Sequence, residues 1–143
     1  MSLEKFIIEG GVHQDERGSI HFANDFNLDQ IKRFYRISHN DILTIRAWQG
    51  HKEEQKWFYC IKGSFEIKTA KLNDWKNSNT NLSFHTFNLS ESKSQILHIP
   101  AGYINGFRAS QPDSSLMVFS DKSLNESKND DYRFDKNRWP VWE

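Results

Sequence analysis

Arg46, His51 and Lys56 lie close together in Arg46-Ala47-Trp48-Gln49-Gly50-His51-Lys52-Glu53-Glu54-Gln55-Lys56, just ahead of the aromatic run Trp57-Phe58-Tyr59-Cys60-Ile61. An imidazole titrates near pH ~6.5 and can move a proton at neutral pH. A guanidinium offers a planar fork of donors suited to phosphate, and an ammonium is a compact positive charge that can face a developing oxyanion. Such a set could hold a charged ligand against a base, or it could be the solvated side of an ordinary strand. The elements that carry the three groups decide between the two.

Alternation along a strand puts Lys56, Phe58 and Cys60 on one face and Trp57, Tyr59 and Ile61 on the other. Upstream, Ile42, Thr44 and Arg46 share a face that Trp48 continues, and Gln49 and His51 alternate together across Gly50. If these faces turn inward, Arg46, His51 and Lys56 line the opening of a barrel. Gly63 is expected at a hairpin corner between 57–61 and the returning run Ser64 to Lys68. Further short runs rich in β-branched and aromatic residues read as strands at 6–8, 20–22, 31–37, 42–47, 64–70, 82–89, 94–99 and 116–120. Turn chemistry at Asp15-Glu16-Arg17-Gly18, Pro100-Ala101-Gly102 and Gln111-Pro112-Asp113 separates them. The pattern predicts an all-β jelly-roll barrel, with room for helix only at 27–31 and within 124–142.

With 143 residues the chain fits one domain, expected over 1–143. Basic and acidic side chains balance at 19 each, which disfavours a polyanionic nucleic-acid partner. No apolar run approaches the roughly 18 residues of a membrane span, and the amino-terminal stretch is too short and charged for a secretory leader, so a cytoplasmic protein is expected. The single cysteine, Cys60, excludes an internal disulfide and reads as a small buried hydrophobe. Only 36% of residues are hydrophobic and 14% are aromatic, so aromatics must supply much of the core. The five tryptophans, including Trp139 and Trp142 near the end, fit a base-stacking wall, a subunit interface or a tail folded over its own barrel.

Gly50, His51 and Gly63, followed by Ile99-Pro100-Ala101-Gly102-Tyr103-Ile104-Asn105-Gly106-Phe107, resemble the two signature segments of the cupin superfamily, whose fold is a double-stranded β-helix. The resemblance is closest to the nucleotide-sugar branch, the dTDP-4-dehydrorhamnose 3,5-epimerases and the WxcM/FdtA-like dTDP-4-keto-6-deoxyglucose 3,4-ketoisomerases. It runs from Asp15-Glu16-Arg17-Gly18 to about Asp135. Where metal-binding cupins place two histidines, a glutamate and a third histidine, this chain has Gln49, His51, Lys56 and Asn105. An ammonium would repel a divalent cation from its first shell, so no metal and no other cofactor is expected.

The resemblance implies an isomerase or epimerase of a nucleotide-linked 4-keto-6-deoxyhexose in deoxysugar or cell-surface glycan biosynthesis; relatives in the family form dimers by exchanging or adding amino-terminal strands, so a homodimer is expected. His51 would be the base, matching a ketoisomerase histidine, and Lys56 would face the enolate oxygen. Arg46 would approach the diphosphate, with Trp48, Gln49, Tyr103, Asn105 and Phe119 completing the substrate site and Asp135 as an acid partner. Two departures bear on the reaction: Gln49 stands where the epimerases carry their principal histidine, and Phe119 where they carry a tyrosine acid. A single base on one face suffices for ketoisomerisation but not for double epimerisation. The alternative is a cupin that only binds a sugar or nucleotide sugar. Each residue also has a plainer role: His51 as a hydrogen-bonded structural histidine, Lys56 as a solvated cation, Arg46 paired at the surface with Glu53 or Glu54, and Tyr103 and Asn105 as turn-following residues. The other histidines are expected to be structural, with His98 on a strand face that would turn toward the barrel.

Overall fold

The computed structural model describes residues 6–76 and 81–142. Twelve strands and one short helix follow in the order β1 (Ile7–Glu9), β2 (Gly11–Asp15), β3 (Gly18–Phe22), β4 (Arg33–His39), β5 (Ile45–Gly50), β6 (Lys56–Lys62), β7 (Ser64–Lys71), β8 (His85–Ser90), β9 (Gln95–Ile99), β10 (Tyr103–Ala109), β11 (Ser114–Ser120), α1 (Leu124–Lys128) and β12 (Tyr132–Arg133). Two five-stranded antiparallel sheets, β1-β9-β6-β11-β4 and β12-β5-β10-β7-β8, face each other as a jelly roll, and β2 and β3 form a separate ribbon.

The alternation expected for β6 holds. Phe58 and Cys60 point into the core with Phe65, Ile67, Leu97, Leu116 and Val118, and Lys56 continues the same inward face at the wider end. Gly63 is a corner, as its φ of +71° requires, but not a hairpin: β6 belongs to the first sheet and β7 to the second. His98 turns outward instead of toward the barrel. Its ring stacks on Trp57 at 4.9 Å and Nε2 lies 2.7 Å from Gln55 Oε1. Residues 27–31 form turns rather than helix, with the Ile31 amide donating to Leu28 at 3.0 Å.

The tail folds over its own barrel. Trp139, 1% exposed, joins Trp48, Leu72 and Ile104 in a second apolar cluster on the outer side of the β5-β10-β7 sheet, with Trp142 and Phe84 packed against it. This cover explains why β10 is buried on both faces from Tyr103 to Phe107. Of the expected helix within 124–142 only α1 forms, fixed by a capping box in which Ser123 accepts from the Glu126 amide and Glu126 from the Ser123 amide. Its role is local: it sets Ser127 and the following Asp130 against the loop between β5 and β6.

Candidate functional site

A cavity of about 650 Å³ opens between β4 and β5 at the wide end of the barrel. Its wall carries Arg33, Arg36, Arg46, Lys56, Lys128 and Arg133 against one carboxylate, Asp131, while Phe58, Phe107 and Val118 close its floor. A pocket of this size and sign suits a phosphorylated small molecule.

Lys56 is 3% exposed, and its Nζ donates to Gln49 Oε1 at 2.9 Å. Gln49 passes the polarity on, since its Nε2 donates to Asp131 Oδ1 at 3.1 Å, an oxygen that also accepts from Arg133 Nε at 3.1 Å. Burial raises the Asp131 pKa, but these hydrogen bonds outweigh it and hold the carboxyl below its ordinary value. Asn105 donates to the Gln49 carbonyl at 3.4 Å and lines the same wall. Arg46 also lines it, and is oriented by donating from Nε to His39 Nε2 at 2.9 Å. That acceptor role requires a neutral His39, and burial, then the Arg46 charge, depress its pKa.

His51 is buried beside Lys56 rather than forming part of the cavity wall. Its Nδ1 lies 2.6 Å from the Asp130 carbonyl oxygen. A carbonyl can only accept, so Nδ1 carries the proton and Nε2 bears the lone pair. Nε2 is buried and has no hydrogen-bond partner among the described residues. Burial, and next the positive charge of Lys56, push the His51 pKa down; Glu54 and the Asp130 bond oppose this without cancelling it. The result is a neutral imidazole with an unused basic nitrogen next to a buried ammonium.

The loop that carries His51 is tied down by Asp130, whose carboxylate accepts from the amides of Lys52, Glu53 and Glu54 at 2.8, 2.9 and 2.9 Å. Glu54 is not a surface partner for Arg46. Its side chain is wholly buried, accepts from Ser127 and Ser120 at 2.7 Å each, and lies 3.6 Å from Arg33 Nη2 and 3.5 Å from His51 Nδ1.

The expected site residues divide. Arg46, Gln49, Lys56 and Asn105 meet at the cavity. Trp48 touches its wall, but the indole belongs to the tail cluster, 6.0 Å from Trp139 and 5.5 Å from Trp142. Besides His51, three residues are placed outside the cavity. Tyr103 is in the core, its ring edge-on to Phe6 at 5.7 Å. Phe119 is on the outer face of β11, packed on Phe26 and Phe34, since alternation turns Leu116 and Val118 inward. Asp135 is exposed and caps a turn by accepting from the Asn137 amide at 2.8 Å. Arg33, Tyr35, Asp131 and Arg133 were missed. For Arg33 and Tyr35 the signal was the alternation of β4, where they share a face with Ile37.

The cluster does not suit a metal. Gln49, His51, Lys56 and Asn105 offer one imidazole among two amides and an ammonium, and the described residues contain no group of three or more His, Cys, Asp or Glu placed to hold an ion.

Residues 3–140 match the family model described as FdtA: WxcM-like, C-terminal. The chain is 29% identical over 113 residues to the probable low-salt glycan biosynthesis epimerase Agl13 of Haloferax volcanii, covering 75% of this chain and 70% of that protein. Among solved structures, the dTDP-4-dehydrorhamnose 3,5-epimerase of Bacillus anthracis, with TDP and pyrophosphate bound, aligns with a TM-score of 0.76 at 20% identity, over 96% of this chain and 85% of that one. A variant of the 3,4-ketoisomerase QdtA of Thermoanaerobacterium thermosaccharolyticum, in complex with TDP-4-keto-6-deoxyglucose, aligns with a TM-score of 0.69 at 20% identity, over 90% and 86% of the two chains. The likeness to these structures is one of fold, and with the matching family model it places the double-stranded β-helix on firm ground. This chain belongs to the FdtA, WxcM-like C-terminal family.

Proposed function

We propose that this protein isomerises or epimerises a nucleotide-linked 4-keto-6-deoxyhexose without a metal, with His51 as the base. The observation that carries this is the pairing of a neutral imidazole, its Nε2 lone pair unengaged, with the buried ammonium of Lys56 at a strongly cationic cavity. The proton on a carbon beside a carbonyl is acidic enough for a near-neutral base when a fixed positive charge receives the enolate. His51 Nε2 takes that proton and the enolate oxygen faces Lys56; the hydroxyl proton on the adjacent carbon then passes to that oxygen within the enediolate, and the imidazolium returns its own proton to the former carbonyl carbon, which moves the carbonyl by one position. Arg46, Arg33 and Arg36 are suited to the diphosphate. One base acting on one face fits ketoisomerisation, and Phe119, on the outer face of β11, supplies no acid to a second face.

The position of His51 outside the cavity wall favours a second reading, a module that binds a nucleotide sugar without turning it over. Incubation with dTDP-4-keto-6-deoxyglucose in deuterated water separates the two. Deuterium appears beside the carbonyl if the enzyme reading holds, and a His51→Ala variant loses the exchange; tight binding without exchange supports the module.

The protein is also proposed to act as a homodimer. The β2–β3 ribbon exposes Val12 (42%), Ile20 (61%) and Phe22 (38%), with Phe34 (65%) exposed on the edge strand β4, apolar surface that a second copy would cover. Light scattering at micromolar concentration tests it, and a monomer refutes it.

A further inference from the structure

Glu54 has no place in the chemistry above, yet it is the most enclosed charged side chain near it, with no exposed side-chain surface. A carboxylate is costly to bury unless its oxygens are engaged. Here each oxygen accepts one hydroxyl, Oε1 from Ser127 and Oε2 from Ser120, both at 2.7 Å. These donors come from the end of β11 and from α1, so the carboxylate is held by two separate elements. Arg33 adds a donor to Ser127 Oγ at 3.2 Å and lies 3.6 Å from Oε2, which links the cluster to the cavity wall. On its remaining side, Oε1 stands 3.5 Å from His51 Nδ1.

We propose that Glu54 is a positioning residue: its carboxylate, with the Asp130 carbonyl, keeps the proton of neutral His51 on Nδ1 and offsets the positive charge that the ring acquires when Nε2 takes a proton from the substrate. This rests on the assignment of His51 as the base. The other charged groups facing the ring are Lys56 from β6 and Asp130 and Asp131 from the segment before β12. Lys56 opposes an imidazolium, and the Asp130 carboxylate is committed to three backbone amides. Glu54 is therefore the negative charge placed to answer Lys56 at the Nδ1 edge. The direction follows: Glu54 raises the affinity of His51 for a proton, and neutralising it lowers that affinity.

The test compares wild type, Glu54→Gln, Glu54→Asp and His51→Ala by deuterium wash-in to dTDP-4-keto-6-deoxyglucose across pH. Expected for Glu54→Gln is a kcat lower by about 10- to 10⁴-fold, from the loss seen for an outer partner of a ligating histidine to that for the carboxylate behind a catalytic one, with KM within about twofold. The acidic limb of its kcat/KM profile moves to lower pH, and Glu54→Asp returns the limb toward wild type. A limb that stays put, or a loss confined to KM, overturns the proposal while leaving His51 as base. Full exchange by His51→Ala instead overturns the base assignment itself. Because Glu54→Gln removes a buried partner of two serines and could fail to fold, ¹⁵N NMR of the wild-type imidazole gives an independent readout. Protonated Nδ1 with bare Nε2 is expected, and the opposite tautomer refutes the proposal.

Discussion

Replacing Lys56 with methionine should make the protein more stable and nearly inactive. The ammonium is 3% exposed, yet among the described residues its one hydrogen bond is to Gln49 Oε1, although it has three protons to donate. Its other favourable contact is the Tyr35 ring, 5.9 Å from Nζ. One charged hydrogen bond gains about 1.5–3 kcal/mol and a cation over a ring about 0.5–1 kcal/mol, whereas removing an ion from water costs several. Methionine matches the stem in shape and removes the charge, leaving Gln49 without that donor at about 1 kcal/mol. The balance favours the variant by about 1–3 kcal/mol, which at this chain length is a rise in Tm of roughly 3–10 °C.

The same substitution removes the positive charge proposed to face the enolate, so kcat for deuterium wash-in should fall by about 10²- to 10³-fold. Lys56 also depresses the His51 pKa, so any residual activity should show its acidic limb displaced to higher pH, opposite in sign to the Glu54→Gln shift. Calorimetry and the exchange assay on one preparation decide the matter. A Lys56→Met protein that melts below wild type would refute the desolvation argument, and one that retains activity within about tenfold would refute the role at the enolate. Loss of activity with gain of stability is what a site assembled for chemistry at a cost in folding energy should show.

Three further outcomes follow from the structure. Burial depresses the pKa of His39, His51 and His98 below the ordinary 6.5, so the unfolded chain binds protons that the folded one refuses. Their stabilising effect is complete above pH ~6.5 and is lost as pH falls below it, by at most about 1.4 kcal/mol per pH unit for each group; equal urea midpoints at pH 7.5 and 5.5 would contradict this. The lowered carboxyls of Asp41 and Asp131 act below that window and do not mask it. Burial pushes the Cys60 thiol up to about 11, so it should ignore a disulfide reagent at pH 8 until denaturant is added; prompt native labelling would show the narrow end of the barrel to be open. Gly63→Ala should lose roughly 2–4 kcal/mol in chemical denaturation, because φ is +71° and the new Cβ would overlap the Ser114 hydroxyl; a loss under ~0.5 kcal/mol would mean the corner can relax.

Nine of the strands were legible because each keeps one polar and one apolar face or carries a dense aromatic run. β2, β10 and β12 were not. Val12 is the only large apolar residue in β2, which lies in an exposed ribbon, and β12 is two residues long. β10 fails for the opposite reason: the tail covers its outer face, so Tyr103 to Phe107 are all buried and no alternation survives. Gly63 illustrates a different limit. A glycine in the left-handed region marks a reversal of the chain, but whether the next strand pairs with the last one or crosses to the opposite sheet depends on partners distant in sequence, here β9 and β11 for β6.

The site divides along the same line. Arg46, Gln49, Lys56 and Asn105 could be read because their types and order match a known pattern; β6 and β10 each present one face to the cavity, whereas β5 brings both Arg46 and Gln49 to it through the irregular β5–β10 pairing opposite Gly106, which simple alternation does not foresee. Glu54 could not, since Lys52-Glu53-Glu54-Gln55 reads as a solvated turn, and charged residues are rarely buried unless paired. What buries it is contributed by Arg33, Ser120 and Ser127, each more than one element away along the chain. A short sequence can show which side chain carries a charge but not whether that charge is answered. Lys56 and Glu54, separated by a single residue, make the point: both are buried, one with a single hydrogen-bond partner among the described residues and one held by two hydroxyls, and after burial it is this pair that shifts the basicity of the imidazole between them, in opposite directions.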